Sequence, residues 1–189
     1  MTIPVSANGI DVEQLVQTIE AIKTDPGLAS FTFRATTAWK EGTRSVAEIG
    51  AFTHAGEEDR SRAAPFVLEG DEPPVLLGHN NGPNAVELLL AALGLCYSVG
   101  FVANAAARGI QVDELSYEVE GDLDLRSFLG ISGGSRPGYN GIRAKAIVKA
   151  PAASEPQVRE LCTYVEDSSP VRDVLANPVP VVTTLELLE

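Results

Sequence analysis

The sequence predicts an α+β fold in which antiparallel sheets pack around two core helices, and three observations carry that reading. Residues 84–108 are almost free of charge and long enough for a helix of about 37 Å. Residues 31–39, 45–53, 115–125 and 142–149 are rich in β-formers or alternate, and they come as neighbours joined by turn-forming stretches, as hairpins do. Residues 154–167 place Val158, Leu161, Cys162 and Val165 on one helical face. Strands grouped together, rather than alternating with helices, give an antiparallel arrangement.

In chain order, Leu15, Val16, Ile19 and Ile22 recur at helical spacing over residues 12–23, with Asp11 as N-cap. Asp25-Pro26-Gly27 ends that helix. Residues 31–39 and 45–53 form a hairpin about the turn at 40–43. The charged residues 56–62 read as a solvated loop, and 65–69 as a third short strand. Residues 70–84 are dense in Gly, Pro and Asn and lead into the central helix without regular structure. That helix is apolar on nearly every face, which predicts burial on all sides. Gly94 and Gly100 leave room for another element to approach its axis. Residues 88–107 also satisfy the length of a bilayer span, but the flanking Glu87, Arg108, Asp113 and Glu114 include no basic cluster to orient one. A core helix is therefore predicted.

Arg108-Gly109 stops the central helix. Residues 115–125 alternate as a half-exposed strand, 132–141 form a loop, and 142–149 pair with the preceding strand. Ser154 caps the next helix, with Glu155 and Pro156 in its first turn. Ser168-Ser169-Pro170 breaks it, Ser169 capping a short helix over 170–175. Residues 180–188 are predicted to close the chain as a last strand.

The 189 residues suffice for one sizeable core. A net charge of −12 argues against a nucleic-acid partner and against an anionic membrane surface. The first residues lack the pattern of a secretory signal, and two cysteines make no disulfide framework, so a cytoplasmic location is expected. His54, His79, Cys96 and Cys162 lack metal-ligand spacing. No phosphate loop and no Gly-x-Ser-x-Gly elbow is present. Neither a metal nor a cofactor is expected.

Cys96 lies mid-helix, far from a helix N-terminus that would favour its thiolate. On an apolar face it is either inert packing or, with a cation nearby, a reactive thiol. Arg44 is the first candidate cation because a guanidinium stays charged; Lys40 is the second. Both also fit as ordinary solvated turn residues. His79, in the loop feeding the helix, has the acid–base range for chemistry near neutral pH, or is simply solvated.

The segment DEPPVLLGHNNGPNAVELLLAALGLCYSVG resembles the signature of the OsmC-like family, relatives of osmotically inducible protein C and the organic hydroperoxide resistance proteins. There, a Gly-Pro-Asn-Pro-x-Glu-Leu-Leu stretch leads into a helix bearing the reactive Cys. GDLDLRSFLGISGGSRPGYNGIRAKAIV and SSPVRDVLANPVPV resemble the family's second half. The resemblance divides the chain into an N-terminal helical extension, 1–29, and an OsmC-like domain, 30–189. It implies an intertwined homodimer with its cysteine sites near the dimer interface, and a thiol peroxidase chemistry in which one Cys attacks the peroxide and a second resolves the sulfenic acid.

Residue by residue, Cys96 falls on the peroxidatic position and Arg44 stands for the hairpin Arg. The Glu that holds that Arg falls on Val86, with Glu87 next to it. The second Cys falls on Ser169, whose hydroxyl cannot form a disulfide. Cys162, two helical turns earlier, is a substitute only if the Cα atoms lie within about 7 Å. Two functions follow: an organic hydroperoxide reductase with a single peroxidatic Cys96 and an external thiol reductant, or a binding protein taking a small hydrophobic ligand in the dimer-interface crevice, with Cys96 lining it.

Overall fold

The computed structural model describes residues 6–133 and 136–188, and the chain divides into two compact units, residues 1–91 and 92–189. In the first, Asn8 and Gly9 both take positive φ, 54° and 78°. This two-residue turn folds β1 (Ser6–Ala7) onto β2 (Ile10–Asp11). Asp11 then caps α1 (Val12–Thr24), its side chain accepting from the Gln14 amide at 2.9 Å. A 3-10 turn, Pro26–Ala29, follows.

The predicted hairpin is present but interrupted. β3 (Phe31–Thr32) pairs with β6 (Phe52–His54), and β4 (Thr36–Glu41) with β5 (Arg44–Ile49), the two ladders differing by one residue in register. The turn is tighter than expected, so Glu41 and Arg44 belong to strands. β8 (Phe66–Gly70) adds to the other edge of β5. Residues 57–59, expected within a solvated loop, are instead β7 (Glu57–Asp59), paired with β6. Ala55 and Gly56, at φ 49° and 85°, form the kind of two-residue turn that suits strand twist, and charges are compatible with an edge strand. Between β8 and the next helix the chain is irregular apart from a 3-10 turn at Pro74–Leu76.

The central helix, α2 (Ala85–Ala107), supplies the core of the second unit. Leu93, Tyr97, Phe101 and Ala105 recur every fourth residue and are buried with Ile110, Leu161 and Val165. Burial on all sides does not hold. Leu95 is 72% and Val99 64% exposed, because one chain covers only one side of the helix. A Cβ on Gly94 would touch Val119 and Tyr117, and one on Gly100 would lie 3.3 Å from Val165, so both glycines sit where neighbouring elements come close. α2 is long and apolar enough to cross a membrane by length and composition; here its buried stripe builds a protein core.

β9 (Glu114–Asp122) pairs antiparallel with β10 (Gly141–Lys149), from Glu114 opposite Lys149 to Asp122 opposite Gly141. Leu115, Tyr117 and Val119 pack on the core. Ion pairs Lys149–Glu114, Lys145–Glu118 and Arg143–Glu120 join the strands on exposed side chains. β9 ends at Asp122 rather than at 125, since β10 begins at Gly141 and offers no later partner. The predicted loop 132–141 includes residues 134–135, which lie outside the described residues.

Ser154 starts α3 (Glu155–Ser168), its amide and hydroxyl both donating to Gln157 Oε1 at 2.9 and 2.8 Å. Ser169 links α3 to α4 (Pro170–Ala176). The last strand expected at 180–188 does not form: these described residues are unpaired, with Val181, Val182 and Leu185 exposed. Alternation supplies a strand's side-chain pattern, but a strand also needs a neighbouring edge for its backbone groups. No described strand of this chain provides one.

Candidate thiol site

Cys96, on α2, is partly buried. Its Sγ lies 3.1 Å from Ser169 Oγ, although the two residues are far apart in sequence. Ser169 is 5% exposed. Its position follows from its capping role: Ser169 Oγ accepts from the Arg172 amide at 3.2 Å, fixing the first turn of α4. The hydroxyl is thus held between a backbone donor and the sulfur. Arg172 itself lies 3.8 Å from Asp167.

Tyr97, Tyr117 and Cys162 are ionisable groups of the same unit. Burial raises the Tyr97 phenol above its ordinary range, with Glu166 adding to the rise and Arg172 opposing it. Cys162 packs beside the buried core cluster. Burial and then Glu166 push its thiol up, Arg159 acting against them, so its environment disfavours a ready thiolate.

The other sequence candidates lie in the first unit. Arg44 opens β5, and its Nη2 donates to both carboxylate oxygens of Glu69, at 3.0 and 3.1 Å. That hydrogen bond, reinforced by the Glu69 charge, raises the guanidinium pKa further. Arg44 Nε is buried and lacks a hydrogen-bond partner among the described residues. Lys40 is exposed on β4. Glu87 closes the start of α2: Glu87 Oε2 accepts from the Asn84 amide and Asn84 Oδ1 from the Glu87 amide, both at 2.9 Å.

His79 has an exposed side chain, and its amide donates to Asp71 Oδ2 at 3.0 Å. Asp71 is the organiser that sequence reading passed over. It is 3% exposed and accepts from Thr43 Oγ1 and the Glu72 amide on one oxygen, and from the His79 amide, the Asn81 amide and Asn81 Nδ2 on the other. The Thr43 bond and then the Asn81 amide bond hold its carboxyl far below the usual range. The only sequence signal was one Asp ahead of a Gly-, Pro- and Asn-rich stretch. Leu77 and Asn80 take positive φ there. A Cβ at Gly78 would fall 1.8 Å from the Glu72 carbonyl oxygen, and one at Gly82 2.1 Å from that of Glu69.

Among the described residues, no group of three or more His, Cys, Asp or Glu is placed to hold a metal ion. The chemistry on offer is a thiol beside a buried hydroxyl.

The family of OsmC-like proteins matches residues 78–184, more than half of the chain. Solved structures are similar over most of the length. An OsmC-like protein from Mycoplasma pneumoniae is 18% identical, with 78% of this chain and 89% of that one covered and a TM-score of 0.59. An organic hydroperoxide resistance protein OsmC from Legionella pneumophila is 15% identical, covering 76% and 88%, with a TM-score of 0.54. An organic hydroperoxide resistance protein from Elizabethkingia anophelis, solved with crystallant-derived thiocyanate, is 14% identical, covering 78% and 89%, with a TM-score of 0.54. At these identities the likeness shows the fold. Comparison with curated proteins gives no match.

Proposed function

The chain belongs to the OsmC-like protein family, and from that premise we propose that it is an organic hydroperoxide reductase working with one peroxidatic cysteine, Cys96, and an external thiol. The observation that carries this reading is the hydroxyl of Ser169 at 3.1 Å from the Cys96 sulfur. A polar partner there gives the thiol a use that packing alone does not require. The names of the Legionella and Elizabethkingia proteins, organic hydroperoxide resistance proteins, support the substrate class.

In the reaction, the Cys96 thiolate attacks the terminal oxygen of R–O–O–H. An S–O bond forms, the O–O bond breaks, and the departing alkoxide takes a proton to become the alcohol. Cys96 loses two electrons and becomes a sulfenic acid. An external thiol attacks that sulfur, forming an S–S bond as water leaves, and a second thiol releases Cys96 by attacking the mixed disulfide. Hydroperoxide and two thiols thus give alcohol, water and a disulfide.

The reading gives Arg44 the cationic role, because its guanidinium is held by Glu69 and keeps one buried donor unpartnered among the described residues. His79, Glu87 and Cys162 take no part in it, since the His79 side chain is solvated, Glu87 caps a helix and Cys162 disfavours its thiolate. It includes an OsmC-like domain over residues 30–189 with 1–29 as an extension, a cytoplasmic setting where reduced thiols are available, and a homodimer. The uncovered Leu95 and Val99 support the last.

The test is alcohol formation from cumene hydroperoxide with dithiothreitol as reductant, alongside Cys96→Ser and Arg44→Met. The reading expects turnover lost in the first variant and lowered about tenfold or more in the second. Turnover unchanged in Cys96→Ser would overturn it. No turnover in the unaltered protein would favour the alternative, a binding protein for a small hydrophobic ligand.

A further inference from the structure

We propose that Ser169 is a positioning residue whose hydroxyl donates a hydrogen bond to the Cys96 thiolate and favours its formation. This rests on Cys96 being the reacting thiol. Ser169 Oγ already accepts from the Arg172 amide at 3.2 Å, an arrangement that orients the oxygen and leaves its proton available for the sulfur 3.1 Å away. A thiolate has no proton to give, so once Cys96 ionises only the hydroxyl can donate. Burial of Ser169 to 5% exposure excludes most competing water and strengthens a charge-assisted bond.

Ionisable groups of this neighbourhood include Tyr97 on α2, Tyr117 on β9, Arg159, Cys162, Glu166 and Asp167 on α3, and Arg172 on α4. Among these, Arg172 opposes the effect of the acidic Glu166 on the Tyr97 phenol. The Ser169 hydroxyl cannot capture the sulfenic acid as a disulfide, so an external thiol reaches Cys96 itself.

The experiment measures the rate of iodoacetamide alkylation of Cys96 against pH, in a Cys162→Ser background that leaves Cys96 as the sole thiol. Ser169→Gly removes the hydroxyl but keeps most of the capping preference, and Ser169→Thr restores both. Circular dichroism checks that each variant is folded. The expected result is an alkylation rate near pH 7 about tenfold lower in Ser169→Gly, with the profile displaced to higher pH, and recovery in Ser169→Thr. An identical profile in Ser169→Gly, or a loss that Ser169→Thr fails to restore, would overturn the proposal. Alkylation needs no hydroperoxide, so failure of the peroxidase reading would show separately, as normal alkylation without hydroperoxide turnover.

Discussion

A hydroxyl 3.1 Å from a sulfur can hydrogen-bond it but cannot trap it as a disulfide. A thiol placed there could. Ser169→Cys is accordingly expected to form a disulfide between Cys96 and the introduced thiol after one equivalent of hydroperoxide, seen as loss of two titratable thiols that returns on reduction. Persistence of both thiols would mean that the Cβ directions forbid the bond. The capping role of Ser169 was readable from Ser-Pro at a helix break, and so was the helix bearing Cys96. Their adjacency was not, because spacing along the chain says nothing about where α3 turns back to meet α2. At the same scale, Phe101 is fully buried, and Phe101→Ala should cost about 3–5 kcal/mol of unfolding free energy, measured by denaturant titration. A cost below about 1 kcal/mol would show that this stripe is not the core.

Among the elements, the loop before α2 shows how one carboxylate replaces regular structure. Asp71 receives the hydrogen bonds that a strand or helix would otherwise provide to the Glu72, His79 and Asn81 amides. Its folded pKa is depressed, so its contribution is fully present above the unfolded value of about 3.9 and is lost as pH falls through the folded one. Thermal unfolding should thus drop in midpoint as pH is lowered from about 4 toward 2. Asp71→Asn should lower the midpoint at neutral pH and flatten that dependence; an unchanged slope would place the acid sensitivity elsewhere. Composition marked this stretch as irregular, yet gave no means of choosing Asp71 over the chain's other carboxylates. The same limit explains the strand at Glu57–Asp59, where turn geometry at Ala55 and Gly56 outweighed charge. It also explains residues 180–188, where alternation was legible but the missing edge was not.

For the whole molecule, α2 reads as fully buried in sequence because both of its sides are apolar, whereas a single chain covers one of them. Leu95 and Val99 remain outside. If a second copy covers them, Leu95→Glu with Val99→Glu should convert a dimer into a monomer in sedimentation equilibrium, while the far-ultraviolet circular dichroism stays unchanged. A dimer that survives both charges would place the interface elsewhere. The antiparallel α+β fold was legible from the grouped strands and two apolar helical faces, and the family from the resemblance of the Gly-Pro-led segment bearing Cys96 to the family's signature. A role for Cys96 was not, because a mid-helix Cys reads equally well as packing or as a reacting thiol.

The most direct measurement is stopped-flow oxidation of the reduced protein by cumene hydroperoxide, with the sulfenic acid trapped and located by peptide mass. Oxidation is expected at Cys96 well above the rate of free cysteine, absent in Cys96→Ser and retained in Cys162→Ser. Oxidation no faster than free cysteine, or located at Cys162, would contradict the proposed role of Cys96.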